Sequence, residues 1–340
     1  MIWVRPGLTL PSLDAVFFDL DGVIIDATGS YRQSVRQATQ WLVREGQGLA
    51  GGPTPLVTEE DIAAFKLAGG WNNDWDLTTA LASLWTARLR EWAGTPLATV
   101  SLANWAERAA ADTRAGRGGM AWLRATVPAS ALLAYDEARW AHDEVYWGAT
   151  LVREHYGHEP TAFPEAAGLV HNERLLVTER LFARLQDRGM DKFAVITGRV
   201  GPEVRMAMGH VEDMLRERAD DYTWHESHYG RSPFITIISS EEIAKPDPTA
   251  LVAALSRTGA HGAIYAGDAT DDLMLVTRYR AEVLAPNANQ PPVLAAMIAT
   301  DDAAATHFQQ QGADLVLSRV EDLPQALALA SDGTTQAPGD

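Results

Sequence analysis

A chain of 340 residues is long enough for two domains, and its 45 acidic against 28 basic side chains give a formal net charge of −17. That balance argues against nucleic acid or an anionic membrane as a partner, because both need a positive footprint. Cysteine is absent, which excludes disulfides, thiol nucleophiles and thiolate metal sites.

The run Ala15 to Phe18 is continuously apolar, the pattern of a strand buried on both faces of a parallel sheet. It ends in Asp19 and Asp21, with Gly22 behind them. Open α/β sheets bind ligands at the carboxyl ends of their strands. One carboxylate there can attack or hold a metal while its neighbour manages protons, although a polar turn closing a strand would read the same way.

Beyond Asp26 the pattern turns helical. Ser30 is a plausible N-cap for a helix reaching Gly46, and a Gly/Pro-rich break follows to Pro55. Thr58 with Asp61 opens another short helix. The loop from Ala64 to Thr78 then packs Lys66, two glycines, Trp71, Asn72, Asn73, Asp74 and Trp75 into a short span. Lys66, Asn72 and Asn73 suit a phosphate, carboxylate or hydroxyl on a substrate. The alternative is an Asx-capped turn leading into a helix over about 76–92. Further helices are expected over 102–114 and 132–156, the latter carrying a core stripe of Trp140, Glu144, Trp147 and Leu151. Nine of the eleven tryptophans lie between Trp41 and Trp147, a sign that this region has its own architecture. The pairs His155 with His158 and His225 with His228 lack a third ligand at metal-site spacing.

From about residue 172 strands and helices alternate. A helix over 173–188 leads to a strand over 192–196, which runs into Thr197, Gly198 and Arg199. A hydroxyl, backbone N–H groups and a guanidinium at a strand end can grip a phosphate. They can equally form an ordinary Thr-capped turn. A strand over 234–238 follows, then Lys245 fixed before Pro246, with Asp247 placed to cap a helix over 248–257. The strand over 263–266 ends in Gly267 and Asp268, with Asp271 and Asp272 opening a helix. Carboxylates gathered there repel one another unless a cation neutralises them, and Mg²⁺ suits an all-oxygen set; helix capping explains part of the same set. Between 281 and 285 the chain reads as a strand, 291–298 and 302–311 as helices, 315–317 as a strand and 320–330 as a helix. The tail, 331–340, reads as disordered.

In chain order the signals are Asp19-x-Asp21-Gly, Thr197-Gly-Arg, Lys245-Pro-Asp-Pro and Gly267-Asp268 with Asp272 four residues on. Together they closely resemble the four sequence motifs of the haloacid dehalogenase-like superfamily. The resemblance implies an α/β fold with a Rossmann-like parallel core at 8–26 and 172–330 and an enlarged, all-helical cap inserted at 27–171. It is similar to the subfamily that includes phosphoglycolate phosphatase and β-phosphoglucomutase relatives. By that resemblance Asp19 is the nucleophile and Asp21 the general acid and base. Mg²⁺ would sit on Asp19, the Asp21 main-chain carbonyl and Asp268, with Asp272 in support. Lys245 and Thr197 would hold the phosphoryl oxygens, with Gly198 and Arg199 beside them, and the cap would close over the site and read the leaving group. The implied activity is Mg²⁺-dependent hydrolysis of a small phosphorylated metabolite through an aspartyl-phosphate. A phosphomutase shares the core chemistry, and a non-enzymatic binding protein could inherit the core. A dehalogenase fits poorly, because halide leaves without an acid and Asp21 is present. No run approaches a membrane span of about 18 apolar residues, and the first residues lack a secretory signal's apolar core, so a soluble, cytoplasmic protein is expected.

Overall fold

The structure is a computed structural model that describes residues 1–71, 73–91, 102–216 and 223–331. Asn72, the expected end of the helix at 92, part of the connection at 216–232 and the expected tail beyond Ser331 lie outside the described residues. The chain divides into two compact units, one of residues 1–26 with 174 onward and one of residues 27–173.

The strands in chain order are β1 (Ile2–Val4), β2 (Ala15–Phe18), β3 (Ile25–Asp26), β4 (Arg174–Leu175), β5 (Lys192–Ile196), β6 (His225–Ser227), β7 (Gly230–Ser232), β8 (Thr236–Ile238), β9 (Ala263–Gly267), β10 (Val293–Ile298) and β11 (Leu315–Leu317). Seven of them form one sheet in the order β1-β11-β10-β9-β2-β5-β8. Every pairing in it is parallel except that of the edge strand β1 with β11. The first unit is therefore an α/β Rossmann-like core. β6 and β7 make a separate hairpin, while β3 and β4 form a short antiparallel pair in which Asp26 lies opposite Arg174.

Parallel strands covered on both faces must be apolar throughout, and β2, β9 and β10 are buried at every position. Val16 and Phe18 point into a cluster with Leu181, Phe182, Val204 and Met208. Phe18 lies 6.1 Å from each of the Phe182, Phe193 and Phe234 rings, mostly edge to face. The helices of this unit are numbered after those described in the second unit, which come first in the chain: α1 (Gln33–Trp41), α2 (Glu59–Ala68), α3 (Asp74–Glu91), α4 (Ala103–Arg114), α5 (Gly119–Thr126) and α6 (Tyr135–Tyr156). Then follow α7 (Glu179–Gln186), α8 (Gly201–Leu215), α9 (Thr249–Thr258), α10 (Thr270–Arg278), α11 (Asp302–Gln310) and α12 (Leu323–Ser331).

Two elements differ in kind from the sequence reading. Residues 291–298, expected as a helix, contribute β10, hydrogen-bonded to β9 on one side and β11 on the other. The expected strand at 281–285 is instead a π-helical continuation of α10, Tyr279–Leu284. The expected helix at 173–188 is shortened, because the chain first pairs as β4 and only then enters α7 behind Thr178.

All regular structure among the described residues of the second unit is helical. Its core gathers Trp71, Trp85, Leu81 and Leu42. In the expected stripe of α6, Trp147 is fully buried and Trp140 partly so. Glu144 is buried too, and its carboxylate accepts N–H bonds from Thr161 (2.9 Å), Ala162 (2.7 Å) and Phe163 (2.7 Å), so it pins that loop. Gly148 interrupts α6 with φ +79°. A Cβ on it would lie 2.5 Å from the Gly168 nitrogen, and one on Gly168 would lie 2.3 Å from the Trp147 carbonyl oxygen. The kink therefore depends on two glycines in backbone contact. Gly148→Ala is expected to cost of the order of 3 kcal/mol, read as a lower denaturation midpoint. Among the described residues no helix is long and apolar enough to cross a membrane.

Candidate active site

Register assembles the site. β2 lies between β5 and β9 in parallel, with Phe18 opposite Val195 on one side and Ala266 on the other. Asp19 follows Phe18 directly, and Thr197 and Asp268 lie two residues beyond Val195 and Ala266, so all three emerge at one sheet edge. The Asp19 N–H extends the pairing to the Ala266 carbonyl (2.8 Å), and the Leu20 N–H donates to Asp19 Oδ1 (2.7 Å). The chain then turns back tightly, with the N–H groups of Ile24 and Ile25 donating to the Leu20 carbonyl and that of Gly22 to the Ile25 carbonyl. Gly22 has φ +70°, and a Cβ there would lie 2.0 Å from Asp268 Oδ2. A glycine is what lets the Asp268 carboxylate sit against this turn.

Lys245 reaches the same point from the loop after β8. Its Nζ lies 2.9 Å from Asp19 Oδ2 and 2.7 Å from Asp272 Oδ1, and its side chain is only 1% exposed. Asp247, as expected, caps α9 by accepting from the Thr249 N–H (2.9 Å). Asp272 Oδ1 also accepts from the Tyr265 hydroxyl (2.8 Å), while its Oδ2 accepts the N–H groups of Asp268 (3.1 Å) and Ala269 (3.0 Å). Asp272 thus receives about as many donors as a carboxylate has lone-pair sites. It braces Lys245 and the Asp268 turn while capping α10. Tyr265, missed in the sequence because it sits in an apolar strand, completes this brace.

Burial pushes the Asp19 carboxyl well above the ordinary range; Lys245 opposes the rise, and the nearby charges of Asp272, Asp21 and Asp268 add to it. Burial alone would lower the Lys245 ammonium, but Asp19 and Asp272 overcome it and hold it above its usual value. Burial, then Asp272, likewise raises the Tyr265 phenol. Four carboxylates, those of Asp19, Asp21, Asp268 and Asp272, stand with two cations, Lys245 and Arg199. Counted with every carboxylate ionised, the four exceed the two cations by two negative charges, the repulsion that raises Asp19 and that one divalent cation would balance. Asp19, Asp268 and Asp272 each place an oxygen within 4.8 Å of the others; with Asp272 engaged by its four donors, the Asp19 and Asp268 oxygens are the hard donors that fit Mg²⁺.

Thr197 is buried, and its Oγ1 accepts the Arg199 N–H (3.1 Å), while Gly198 is exposed at the turn. The Arg199 side chain does not extend as a separate phosphate arm. Its guanidinium is buried and forks onto Asp21, with Nη2 2.7 Å from Oδ1. The residues expected to read a substrate from the helical unit have partners within that unit. Lys66 pairs with Asp74 (3.2 Å), and Asn73 Oδ1 accepts the N–H groups of Trp75 (2.9 Å) and Asp76 (3.2 Å), the Asx cap of α3. Trp75 Nε1 donates to the buried Asp143 (2.6 Å), and Trp71 is buried edge to face against Trp122. The glycines before them serve close packing, since a Cβ on Gly70 would lie 3.0 Å from the Gly119 nitrogen.

The fold recurs in solved structures. One is phosphatase Tt82 from Thermococcus thioreducens, 20% identical, which aligns over 87% of this chain and 97% of its own with a TM-score of 0.51. Another is a Northeast Structural Genomics Consortium target, 14% identical, which aligns over 94% of this chain and 100% of its own with a TM-score of 0.53. At these identities the likeness is one of fold. No curated protein sequence matches the chain. The family profile described as haloacid dehalogenase-like hydrolase matches residues 13–275, from the strand that carries Asp19 to the helix that follows Asp268. With most of its length matched and the four motif segments gathered at one sheet edge, the chain belongs to the haloacid dehalogenase-like hydrolase family.

Proposed function

We propose that the protein is a Mg²⁺-dependent phosphatase of small phosphorylated metabolites, working through an aspartyl-phosphate on Asp19. The observation that carries this reading is the buried Asp19 with Lys245 Nζ 2.9 Å away and with Asp268 and Asp272 each placing a carboxylate oxygen within 4.8 Å. An Asp19 oxygen attacks phosphorus, and the bond from phosphorus to the ester oxygen breaks. Asp21 gives that oxygen its proton, so the leaving group departs as a neutral alcohol. Water then attacks the phosphorus while Asp21 takes up its proton, which releases inorganic phosphate and restores Asp19. Lys245, the Thr197 hydroxyl and the Gly198 backbone hold phosphoryl oxygens, and the Lys245 charge offsets the repulsion between a dianion and the attacking carboxylate. Asp19, the Asp21 main-chain carbonyl and Asp268 would hold Mg²⁺, with Asp272 fixing the turn behind them. When bound, the ion supplies charge neutralisation to the transferring phosphoryl group.

The test is inorganic phosphate release from a panel of phosphorylated metabolites. A chelator is expected to reduce the rate by about 100-fold or more, with recovery on added Mg²⁺. Mg²⁺ should also raise the melting temperature of the metal-free chain by mass action. Turnover that leaves phosphate on the product and needs a bisphosphorylated activator would instead identify a phosphomutase. Absence of both Mg²⁺ binding and turnover would sink the enzymatic reading.

A further inference from the structure

We infer that Arg199 is the positioning residue of Asp21, fixing the proton-handling carboxylate in place, and this rests on the reading above. Its Nε lies 3.1 Å from Asp21 Oδ1 and 3.2 Å from Oδ2, and its Nη2 lies 2.7 Å from Oδ1. The guanidinium is 0% exposed, whereas the Asp21 side chain is 32% exposed. One partner is locked in the protein and the other stands at the edge. Arg199 is held along its length. Its N–H donates to Thr197 Oγ1 (3.1 Å), its carbonyl accepts from the Ser240 N–H (3.2 Å) and Oγ (3.3 Å), and Nη1 lies 3.5 Å from the Glu203 carbonyl oxygen. A planar fork anchored in this way sets the plane of the carboxylate it grips, which a lysine ammonium cannot do.

The fork also makes the two Asp21 oxygens unequal. Oδ1 faces two N–H groups, whereas Oδ2 shares one of them. Oδ2 is therefore the oxygen with a lone pair left to exchange a proton, giving it to the leaving oxygen and taking it back from water. The sequence alone places Arg199 on the phosphate. The two roles predict different chemistry, because a phosphate grip serves every phosphomonoester, whereas positioning the acid matters only where the departing oxygen needs a proton.

The experiment compares an alkyl phosphomonoester with dinitrophenyl phosphate, whose phenolate leaves without protonation. For Arg199→Lys, kcat/KM for the alkyl ester should fall by about 10²- to 10³-fold, the scale of a lost general acid. For dinitrophenyl phosphate it should fall by less than about tenfold, and a burst of dinitrophenolate should appear, because Asp21 must still activate water in the second displacement. Asp21→Asn should show the same selectivity, and adding Arg199→Lys to it should cost nothing further on the alkyl ester. Asp21→Glu keeps the acid but cannot keep the fork, and should reproduce the selective loss even if Arg199→Lys fails to fold. Equal losses on both esters with a raised KM, additive losses in the double variant, or an Asp21→Glu variant that retains alkyl-ester turnover would each overturn the inference. A native chain that hydrolyses neither ester would overturn the phosphatase reading itself.

Discussion

Asp19→Asn is expected to lower phosphate release by at least about 10⁴-fold without unfolding the chain, the scale on which loss of a covalent nucleophile is felt. The second half of that expectation comes from electrostatics. Burial raises the Asp19 carboxyl, with Asp272, Asp21 and Asp268 adding to the rise against Lys245. A carboxyl raised on folding binds its proton more tightly in the folded than in the unfolded state. Its ionisation therefore removes stability as pH climbs from about 4, the unfolded value, toward the raised folded one. Asn carries no such charge, and Lys245 keeps Asp272 at 2.7 Å. With a chelator present the variant should melt at or above the native temperature at pH 8, and the difference should shrink toward pH 4. Added Mg²⁺ should lift the native protein far more than the variant. A variant melting well below the native chain at every pH would make Asp19 a structural residue.

Gly22→Ala is expected to weaken Mg²⁺ binding by about 100-fold or more, with turnover falling in proportion. The added Cβ would stand 2.0 Å from Asp268 Oδ2 and 2.4 Å from its Cγ, so the carboxylate must leave its place. The left-handed backbone at φ +70° adds roughly 1 kcal/mol of its own. Gly7 separates the two effects, since its φ is +73° and a Cβ there meets nothing within 4 Å. Gly7→Ala should lower the melting temperature by a few degrees and leave Mg²⁺ binding intact, whereas Gly22→Ala should lose both. Calorimetric titration with Mg²⁺ reads the difference directly. Equal Mg²⁺ affinity in the two variants would remove Asp268 from the metal site.

Three of the core motifs are legible in the sequence because each is a polar group set at the end of an apolar strand, a contrast that survives without knowledge of strand order, and Lys245 is legible from its place before Pro246 in the loop after β8. What the sequence lacks is partnership. Arg199 reads as a phosphate arm because nothing local ties it to Asp21, which is 178 positions earlier in the chain. Tyr265 is hidden for the same reason, since its hydroxyl finds Asp272 only after α10 folds back on β9. In the helical unit, Lys66 and Asn73 look like ligand contacts because lysine and asparagine are versatile, yet Asp74 and the first turn of α3 engage them. The misread stretch Val293–Ile298 contains Leu, Ala and Met, strong helix formers, in a short apolar run whose periodicity cannot decide. Its place between β9 and β11 decides, because a strand there satisfies both neighbours' hydrogen bonds. The run at 281–285 fails in the opposite sense. Only Val283 in it favours a strand, while Ala281, Glu282, Leu284 and Ala285 are good helix formers, and it continues α10 as a π-helical turn in which the Arg280 side chain bonds the Val293 carbonyl and Asp314.

The short β3–β4 pair gives the architecture a seam. The chain leaves the sheet unit after Asp26 and returns at Arg174, and those two residues face each other across a single strand spacing, roughly 5 Å. The long excursion between them begins and ends at one doorway, as a gene inserted at one locus would. Lengthening, shortening or exchanging it leaves the order of every sheet strand, and the polypeptide path through Asp19, Thr197, Lys245 and Asp268, as it was. The size of the helical segment is thus independent of the strand order that places those four residues.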